Sequence, residues 1–312
     1  MERVVIQGKA YGVEVLRRTR QGPHAVSIVQ TSHNALALTR AAIESIRRWT
    51  TVPYELWVVD NFSDRPVVEY LKAQPDLNLI LNTTPVGGWT LRRWHGLPML
   101  YPPRPDTWSR IPGGGALCNG IALEIASRFI QTRYCFVMHN DILVRPRWLE
   151  FLLSKLNDRV RGAAVSHDPG RVFAMHQSGF LFDFSLFRPL KMSFLPKVPA
   201  YDPGDLVTVR LREAGYAYYI CRNTFNDPET VACITDEALR TMYSVRSFSD
   251  EDEVIYLHLG RGTPKTAGTY AREGKTGLSE WLRFAERDLR EAEAAGIGQP
   301  QRDKTHGEPA SV

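Results

Sequence analysis

The stretch AVSIVQTSHN, residues 25–34, decides the fold class together with the residues that follow it. Its apolar run stops at a polar turn, Thr31 to Asn34, as a buried strand does where it leaves a sheet. The next stretch, ALALTRAAIESIRRW (35–49), carries apolar residues at helical spacing behind Asn34, which we predict as the N-cap. A second β-rich run, YELWVVDNFSD (54–64), ends in another polar turn. Parallel neighbouring strands need such a helical crossover, so this order predicts a parallel sheet.

The alternation of strand and helix continues along the chain. A short helix is predicted in RPVVEYLKAQ (65–74), a strand in LNLILN (77–82), a helix in 113–129, a strand in RYCFVM (133–138) and a helix in 205–215. We therefore expect an α/β fold with a mostly parallel central sheet, helices on both faces and a smaller mixed region in the second half of the chain. The predicted organisation is a lead-in (1–24), one domain (25–270, with its two halves divided at 145), a C-terminal helix (271–298) and a disordered tail (299–312).

Composition excludes several classes of protein. At 312 residues, with 43% apolar and 23% charged side chains, the chain resembles a globular protein with a substantial core. Lys and Arg exceed Asp and Glu by 39 to 34, a mild excess that suits an anionic substrate, and the scattered basic residues argue against nucleic acid as a partner. No apolar run reaches the length of a membrane span, so we expect at most peripheral membrane association. The four cysteines form no CxxC pair, which favours reduced thiols and a cytoplasmic protein.

Four polar turns fall at the edge of the predicted sheet where the strands end. They are Thr31-Ser32-His33-Asn34, Asp60-Asn61, Gly113 to Asn119 and His139-Asn140-Asp141. Ligands of open parallel sheets bind at this edge. Each turn alone also has a structural interpretation, because Asn and Asp are common wherever a strand ends. Their occurrence together predicts a ligand site.

The glycine-rich turn from Gly113 to Asn119 offers backbone N–H groups at the start of a helix. Glycine lets the backbone approach an anion closely, and the helix N-terminus adds a partial positive charge. A diphosphate is one candidate ligand. A flexible connection between strand and helix is the alternative.

Asp141, His139 and His258 are the candidate metal ligands. Asp141 offers a hard oxygen that suits Mg²⁺ or Mn²⁺. His139 lies two residues earlier, and on the same side if strand geometry persists. His258 ends another apolar run, in YLHLGRGT. From chemistry alone, His258 is as consistent with a structural role as with a role as a metal ligand.

Taken together, these motifs resemble the family-2 glycosyltransferases, which have the GT-A fold, over residues 25–262. The similar segments are VSIVQTSHN (first strand of the family), VVDNFSD (VDNxSxD), GGGALCNGI (GxxxARNxG) and FVMHNDILVRPRWL (the strand with the Asp-x-Asp metal motif). His139-Asn140-Asp141 stands where the family has Asp-x-Asp and retains the second acid. Cys118 stands where the family has arginine.

The resemblance makes residues 25–270 one catalytic domain, with a nucleotide-binding half to 145 and an acceptor half, which holds the smaller mixed region, from 146. It also implies a donor site and a metal site. The implied donor-binding residues are Thr31, His33, Asn34, Asp60, Asp64, Gly115, Asn119, His139 and Asn140. Asp60 would read the base of a nucleoside-diphosphate sugar, with UDP or dTDP favoured as the nucleotide. His258 matches the late metal-binding histidine and would join Asp141 and His139 around Mg²⁺ or Mn²⁺. His139 could instead contact the ribose or a water.

The activity implied by the resemblance is transfer of a sugar to an acceptor hydroxyl with inversion at the anomeric carbon. Asp202 or Asp205, in YDPGDLVTVRLREAGY, would be the general base. The acceptor could be a glycan, a lipid carrier or a small metabolite. Two rival interpretations are a non-catalytic nucleotide-sugar-binding relative, suggested by the missing first aspartate, and a nucleotidyltransferase, which would share the sheet and the metal.

Residues 83–112 interrupt the periodic pattern with three tryptophans and six prolines. We predict a long loop there. It would be either a lid or acceptor wall that orders on donor binding, or a surface loop whose tryptophans pack on the sheet.

Overall fold

The computed structural model describes residues 1–20, 22, 25–86, 90–94, 97–101, 114–169, 172–197, 200–261, 277–294 and 296. The strands are β1 Glu2–Ile6, β2 Lys9–Leu16, β3 Val26–Ser32, β4 Tyr54–Asn61, β5 Asn78–Asn82, β6 Thr90–Trp94, β7 Leu97–Tyr101, β8 Tyr134–Met138, β9 Ile142–Val144, β10 Val160–Ala164, β11 His167–Asp168, β12 Ala174–Met175, β13 Gly179–Asp183, β14 Ala217–Ile220, β15 Val245–Phe248 and β16 Val254–His258. The α-helices are α1 Leu36–Trp49, α2 Arg65–Lys72, α3 Gly114–Ala126, α4 Trp148–Ser154, α5 Asp205–Glu213, α6 Glu237–Thr241 and α7 Leu278–Ala294.

A nine-stranded central sheet has the strand order β1-β2-β5-β4-β3-β8-β13-β10-β14. The strands β5, β4, β3 and β8 form a parallel block, and in the whole sheet only β2 and β13 run against the rest. The carboxyl ends of β4, β3 and β8 therefore meet at one edge, where three of the four polar turns predicted from the sequence lie; the fourth, Gly113 to Asn119, does not follow any of these strands.

Helices cover both faces of this sheet. Alternate residues of each central strand point to opposite faces, so the apolar side chains of one strand pack against helices on both sides. Ile28 of β3 packs in a cluster with α1, α2 and α4, whereas Val29 packs in a second cluster with α3. The predicted α/β fold, with a mostly parallel sheet and helices on both faces, is confirmed.

A second sheet of three strands, in the order β15-β16-β9, stands beside the end of β8. It begins directly after the His139-Asn140-Asp141 turn, since β9 starts at Ile142. Antiparallel pairing of β16 with β9 sets His258 opposite Ile142. This register carries His258 to the turn, although the two segments are far apart in sequence.

The lead-in predicted for residues 1–24 is wrong, because β1 and β2 form a hairpin that extends the central sheet beyond β5. Val4, Ile6, Tyr11 and Val13 are buried against the α3 side of the core, and the residues between them are exposed or half-buried. That alternation, of period two, is the pattern of a strand with one solvated face. Gln7 and Gly8 make the tight turn with positive φ angles of 49° and 78°.

Three further local predictions need correction. The long loop predicted for 83–112 contains a hairpin of β6 and β7, and residues 87–89, 95–96 and 102–112 of its proposed lid lie outside the described residues. Asn34 is not an N-cap, because Ala35 occupies that position and makes no side-chain bond. The glycine turn is helical from Gly114 onward, and Gly113 lies outside the described residues.

The second half of the chain follows the prediction more closely. The helix α5 ends before Gly215, whose φ of 81° is the left-handed conformation expected at C′. The C-terminal helix α7 packs against α1 and is tied to the end of β9 by an ion pair between Asp288 and Arg145. Among the described residues, no helix combines the length and the apolar character needed to cross a bilayer.

Candidate active site

His139, Asp141 and His258 converge at the carboxyl end of β8. His139 Nδ1 lies 3.7 Å from Asp141 Oδ1, and His258 Nε2 lies 3.5 Å from the same oxygen. The three donor atoms all fall within 4.8 Å of one another. The turn is fixed from the opposite strand by a hydrogen bond from the backbone N–H of Leu259 to the carbonyl of Asp141 (3.0 Å).

The chemistry of this donor set fits a divalent cation. Asp141 is only 3% exposed, and the buried Nε2 atom of His258 has no hydrogen-bond partner. Burial lowers the pKa of His139 to about 4, although the Asp141 carboxylate opposes the shift. A neutral imidazole, the form that ligates metals, is therefore available at neutral pH. A set of one carboxylate and two imidazoles suits Mn²⁺ better than Mg²⁺, because Mg²⁺ prefers ligand sets made of oxygen alone.

Asn119, on α3, supports His139 from above the sheet. Its Nδ2 lies 3.3 Å from His139 Nε2 and donates to Gln177 Oε1 at 2.5 Å. The Oδ1 atom of Asn119 is buried without a partner. The Nδ2 contact fixes the orientation of the His139 ring from the side away from Asp141.

Asp60 ends β4 in a buried polar pocket. Its side chain is 1% exposed, and its Oδ2 accepts a hydrogen bond from the backbone N–H of Ser63 at 2.9 Å. The other oxygen, Oδ1, is buried without a partner. Burial raises the pKa of Asp60 to about 6, against the lowering effect of the bonds from Ser63. The carboxylate thus keeps one oxygen available for a ligand.

Hydrogen bonds connect the turn after β3 to the pocket of Asp60. Asn34, with a φ of 45°, accepts from the backbone N–H of Asp64 at 2.6 Å and donates its own N–H to Ser63 Oγ. His33 Nδ1 lies 3.2 Å from the carbonyl of Asn61, and burial lowers the pKa of His33. These bonds fix the loop. The carboxylate of Asp64 itself is exposed.

One strand, β3, separates the pocket of Asp60 from the turn that carries Asp141. Ser32 of β3 pairs with Asp60, and half-buried Thr31 lies beside it. Neighbouring strands are about 4.8 Å apart, so two strand spacings put roughly 10 Å between the two sites. An extended nucleotide spans such a distance, with its base at one end and its diphosphate at the other.

Two predicted donor-binding residues are not brought to this groove. Asn140 is buried toward α1, where its Nδ2 donates to Thr39 Oγ1 at 3.0 Å. This bond anchors the turn to the helix, and the predicted contact of Asn140 with the donor stays a prediction. Gly115 lies exposed in the first turn of α3 with open space around it. Its N–H belongs to a helix N-terminus, but no described side chain completes an anion site there.

The two acidic candidates for general base have different surroundings. Asp202 is half-buried, and its Oδ2 lies 3.5 Å from Gln177 Nε2, which links it to the Asn119 and His139 side of the site. Asp205 is 3% exposed at the start of α5 and turns its Oδ2 back to accept the backbone N–H of Asp202 at 2.7 Å. Of the two, Asp202 is linked to the site through Gln177, whereas the contact of Asp205 is with the backbone of Asp202.

A third histidine, His176, belongs to the site but escaped the sequence interpretation. Its ring centroid lies 5.8 Å from that of His258 and 6.4 Å from that of His139. The segment AMHQSGF contains the available clue, because three polar residues interrupt an apolar run as they do after β8.

A cavity of about 710 Å³ opens from the three histidines toward the β15–β16 side. Its remaining walls combine apolar, aromatic, polar and basic side chains, with no acidic side chain among the described residues that line it. They are Ser166, Gln177, Thr224, Phe225, Met242, Tyr243, Ser244, Val245, Arg246, Leu259, Gly260 and Arg261. The candidate metal ligands thus stand beside a space large enough for a further small molecule.

No protein-family model matches the chain, and no curated protein matches it significantly. Among solved structures, it is similar to the mannosyltransferase PcManGT of Pyrobaculum calidifontis with GDP-Man and Mn²⁺, at 16% identity and a TM-score of 0.45, over 88% of this chain and 77% of that one. The apo-form glycosyltransferase GlyE of Streptococcus pneumoniae matches at 11% identity and 0.45, over 90% and 66%. Glucosyl-3-phosphoglycerate synthase of Mycobacterium tuberculosis with Mn²⁺, UDP and phosphoglyceric acid matches at 14% identity and 0.42, over 63% and 67%.

These similarities are remote, and we base the function on the residues of the site. The chain is an α/β protein by its own strand order and its own helices.

Proposed function

We propose that this chain is a metal-dependent glycosyltransferase that moves a sugar from a nucleoside-diphosphate donor to an acceptor hydroxyl. The observation that carries the proposal is the convergence of His139, Asp141 and His258 on one point at the carboxyl end of β8. Ligands of open parallel sheets bind at that edge. A cytoplasmic location, expected from the cysteine pattern, is part of the same proposal.

The donor would lie along the edge of the sheet from β4 to β8. The free oxygen of Asp60 would accept a hydrogen bond from the base, as the N–H of a uracil or thymine ring allows, and this keeps UDP and dTDP as the favoured nucleotides. Thr31 and His33 line the path across β3. The diphosphate would then reach the metal ligands.

Asp141, His139 and His258 would hold Mn²⁺ or Mg²⁺ beside the diphosphate. When bound, the cation supplies positive charge that stabilises the departing nucleoside diphosphate. Asn119 would hold the His139 ring in its ligating orientation through its amide contact. A buried site strengthens these electrostatic effects because the effective dielectric constant there is low.

Asp202 would act as the general base. It accepts the proton of the acceptor hydroxyl while that oxygen bonds to the anomeric carbon of the donor sugar. The bond from this carbon to the diphosphate oxygen breaks, and the nucleoside diphosphate leaves with the electron pair. One displacement of this kind inverts the anomeric configuration. Asp205 orients Asp202 through the backbone bond between them.

The acceptor would occupy the cavity beside the histidines. Phe225 and Tyr243 line this cavity and are 54% and 52% exposed, which is unusual for aromatic side chains. Flat apolar rings next to hydroxyl groups suit the alternating apolar and polar faces of a sugar. A glycan or a glycosylated carrier therefore fits this wall better than a purely apolar acceptor.

Nucleoside diphosphate release from a panel of nucleotide sugars with Mn²⁺ tests the proposal. The panel contains UDP-, dTDP- and GDP-sugars, with and without simple glycoside acceptors, and EDTA-treated protein as the control. We expect metal-dependent release with at least one donor. Tight binding without release would favour the non-catalytic relative, and pyrophosphate from a nucleoside triphosphate and a sugar phosphate would favour a nucleotidyltransferase.

A further inference from the structure

His176 stands beside the metal ligands but differs from them in its surroundings. The group of possible ligand atoms found among the described residues contains His139, Asp141 and His258 and leaves His176 out. Nevertheless, His176 lines the same end of the cavity as His139 and His258. The ring centroid of His176 lies within 6.4 Å of those of His139 and His258, and metal ligation by the other three groups does not explain why this third imidazole is there.

Hydrogen bonds from Ser178 fix the tautomer of His176. The backbone N–H of Ser178 donates to His176 Nδ1 at 3.2 Å, and Ser178 Oγ lies 2.8 Å from the same atom. A backbone N–H can only donate, so Nδ1 must carry a lone pair. The proton of the neutral ring is therefore on Nε2. In this form, His176 offers an N–H group at Nε2 rather than the lone pair that a metal requires.

The turn that carries His176 is held on both sides. The backbone N–H of His176 donates to the carbonyl of Ser166 at 3.0 Å, and the hydroxyl of buried Tyr256 donates to the carbonyl of Ser178 at 2.5 Å. Gly179 makes this contact possible, since a Cβ there would lie 2.8 Å from the Tyr256 hydroxyl oxygen. The imidazole is thus preorganised, so little ordering is left to cost free energy when a ligand binds.

We propose that His176 donates a hydrogen bond from Nε2–H to an oxygen of the nucleoside diphosphate bound at the neighbouring metal ligands. The inference rests on the proposed function. Its basis is the fixed tautomer, the proximity to His139 and His258, and the absence of acidic side chains among the described residues that line the cavity. A preorganised donor aimed at developing negative charge lowers the barrier for departure of the diphosphate.

Binding measurements on His176→Ala and His176→Gln separate this role from metal ligation. Mn²⁺ binding is followed by electron paramagnetic resonance, and UDP and GDP binding at saturating Mn²⁺ by calorimetry. We expect His176→Ala to bind Mn²⁺ as the wild type does and to bind the nucleoside diphosphate about tenfold more weakly, as is typical for loss of a charge-assisted hydrogen bond. His176→Gln should recover most of the affinity, because its carboxamide N–H reaches a position near that of Nε2.

His167→Ala is the matched control, because His167 lies in the adjacent β11 and is not among the residues lining the cavity. Loss of Mn²⁺ by His176→Ala to the extent seen in His258→Ala would make His176 a metal ligand and overturn the proposal. Unchanged diphosphate affinity in a folded His176→Ala protein would overturn it as well. Failure of the wild-type protein to bind either nucleotide with Mn²⁺ would instead remove the proposed function, and this inference with it.

Discussion

His258 Nε2 lies 3.5 Å from Asp141 Oδ1 because two sheets meet at the end of β8. The central sheet delivers Asp141, and the small sheet delivers His258 through the pairing of His258 with Ile142. Neither sheet forms the site alone. The buried Nε2 atom has no hydrogen-bond partner, and an uncompensated buried polar atom destabilises a fold unless a ligand satisfies it.

Replacement of Asp141 by Ala should abolish metal-dependent turnover while leaving the fold intact. The substitution removes a charged side chain between two imidazoles and little core volume. We expect turnover to fall by more than about 100-fold, the scale seen when one electrostatic contribution to an active site is lost. Mn²⁺ binding and nucleoside diphosphate release measure the effect, and far-UV circular dichroism checks the fold. Asp158→Ala, at a fully exposed carboxylate, is the control. Full activity in Asp141→Ala would refute the metal assignment.

Asp202→Asn and Asp205→Asn distinguish the two acidic candidates. Asn at 202 cannot accept a proton, so we expect turnover to fall by about 10²- to 10⁴-fold with nucleotide affinity nearly unchanged. Asn at 205 keeps a carbonyl oxygen for the backbone N–H of Asp202, so its loss should be smaller. Steady-state kinetics with separate nucleotide titrations measures both. The reverse order of losses would make Asp205 the base.

Local patterns were sufficient to predict the strands and helices around the nucleotide edge. The apolar runs of β3, β4 and β8 are buried on both faces, and α1 has a clear apolar stripe, so each element could be assigned from its own residues. Asp60 and Asp141 could then be placed at one edge, because the carboxyl ends of parallel strands lie on the same side of a sheet. Ligands of such sheets bind at that edge.

The remaining features depend on contacts between distant segments. The strand β9 has three residues, too few for a periodic pattern, yet its pairing with β16 brings His258 to Asp141. Asn140 has a side-chain amide, a group that often binds ligands. Only the position of Thr39 on α1 reveals that this amide has a structural role. His176 becomes recognisable as part of the site only when three rings are seen in one cavity.

Gly120 of α3 should not tolerate a side chain, whereas Gly115 of the same helix should. A Cβ at Gly120 would lie 2.7 Å from both the carbonyl oxygen of Phe194 and the Cδ of Pro196, so the helix would have to move away from the 193–196 segment. We expect Gly120→Ala to destabilise the protein by about 1–3 kcal/mol. Gly115→Ala meets open space and should raise stability slightly, because alanine favours the helix. Thermal or urea unfolding compares the two, and equal stabilities would contradict the packing.

The raised pKa of Asp60 predicts a pH dependence of stability in the nucleotide-free protein. Its pKa is about 6 in the folded state against 3.8 for the ordinary group, so the folded state binds more protons than the unfolded state between these values. Stability contributed by this group therefore falls as the pH rises through that window. Between pH 4.5 and pH 7.5 the loss should be about 2 kcal/mol.

Urea unfolding of the wild type and of Asp60→Asn at these two pH values isolates the contribution of Asp60. The amide does not ionise, so the decrease in the free energy of unfolding between pH 4.5 and pH 7.5 should be about 2 kcal/mol smaller in the variant than in the wild type. The same ionisation should strengthen nucleotide binding, because the Asp60 carboxylate accepts a hydrogen bond from a base better than the neutral acid does. Wild-type affinity for UDP should then rise as the pH passes 6, while the affinity of Asp60→Asn should stay low and flat. Parallel pH profiles in the two proteins would show that Asp60 neither ionises in this range nor contacts the base.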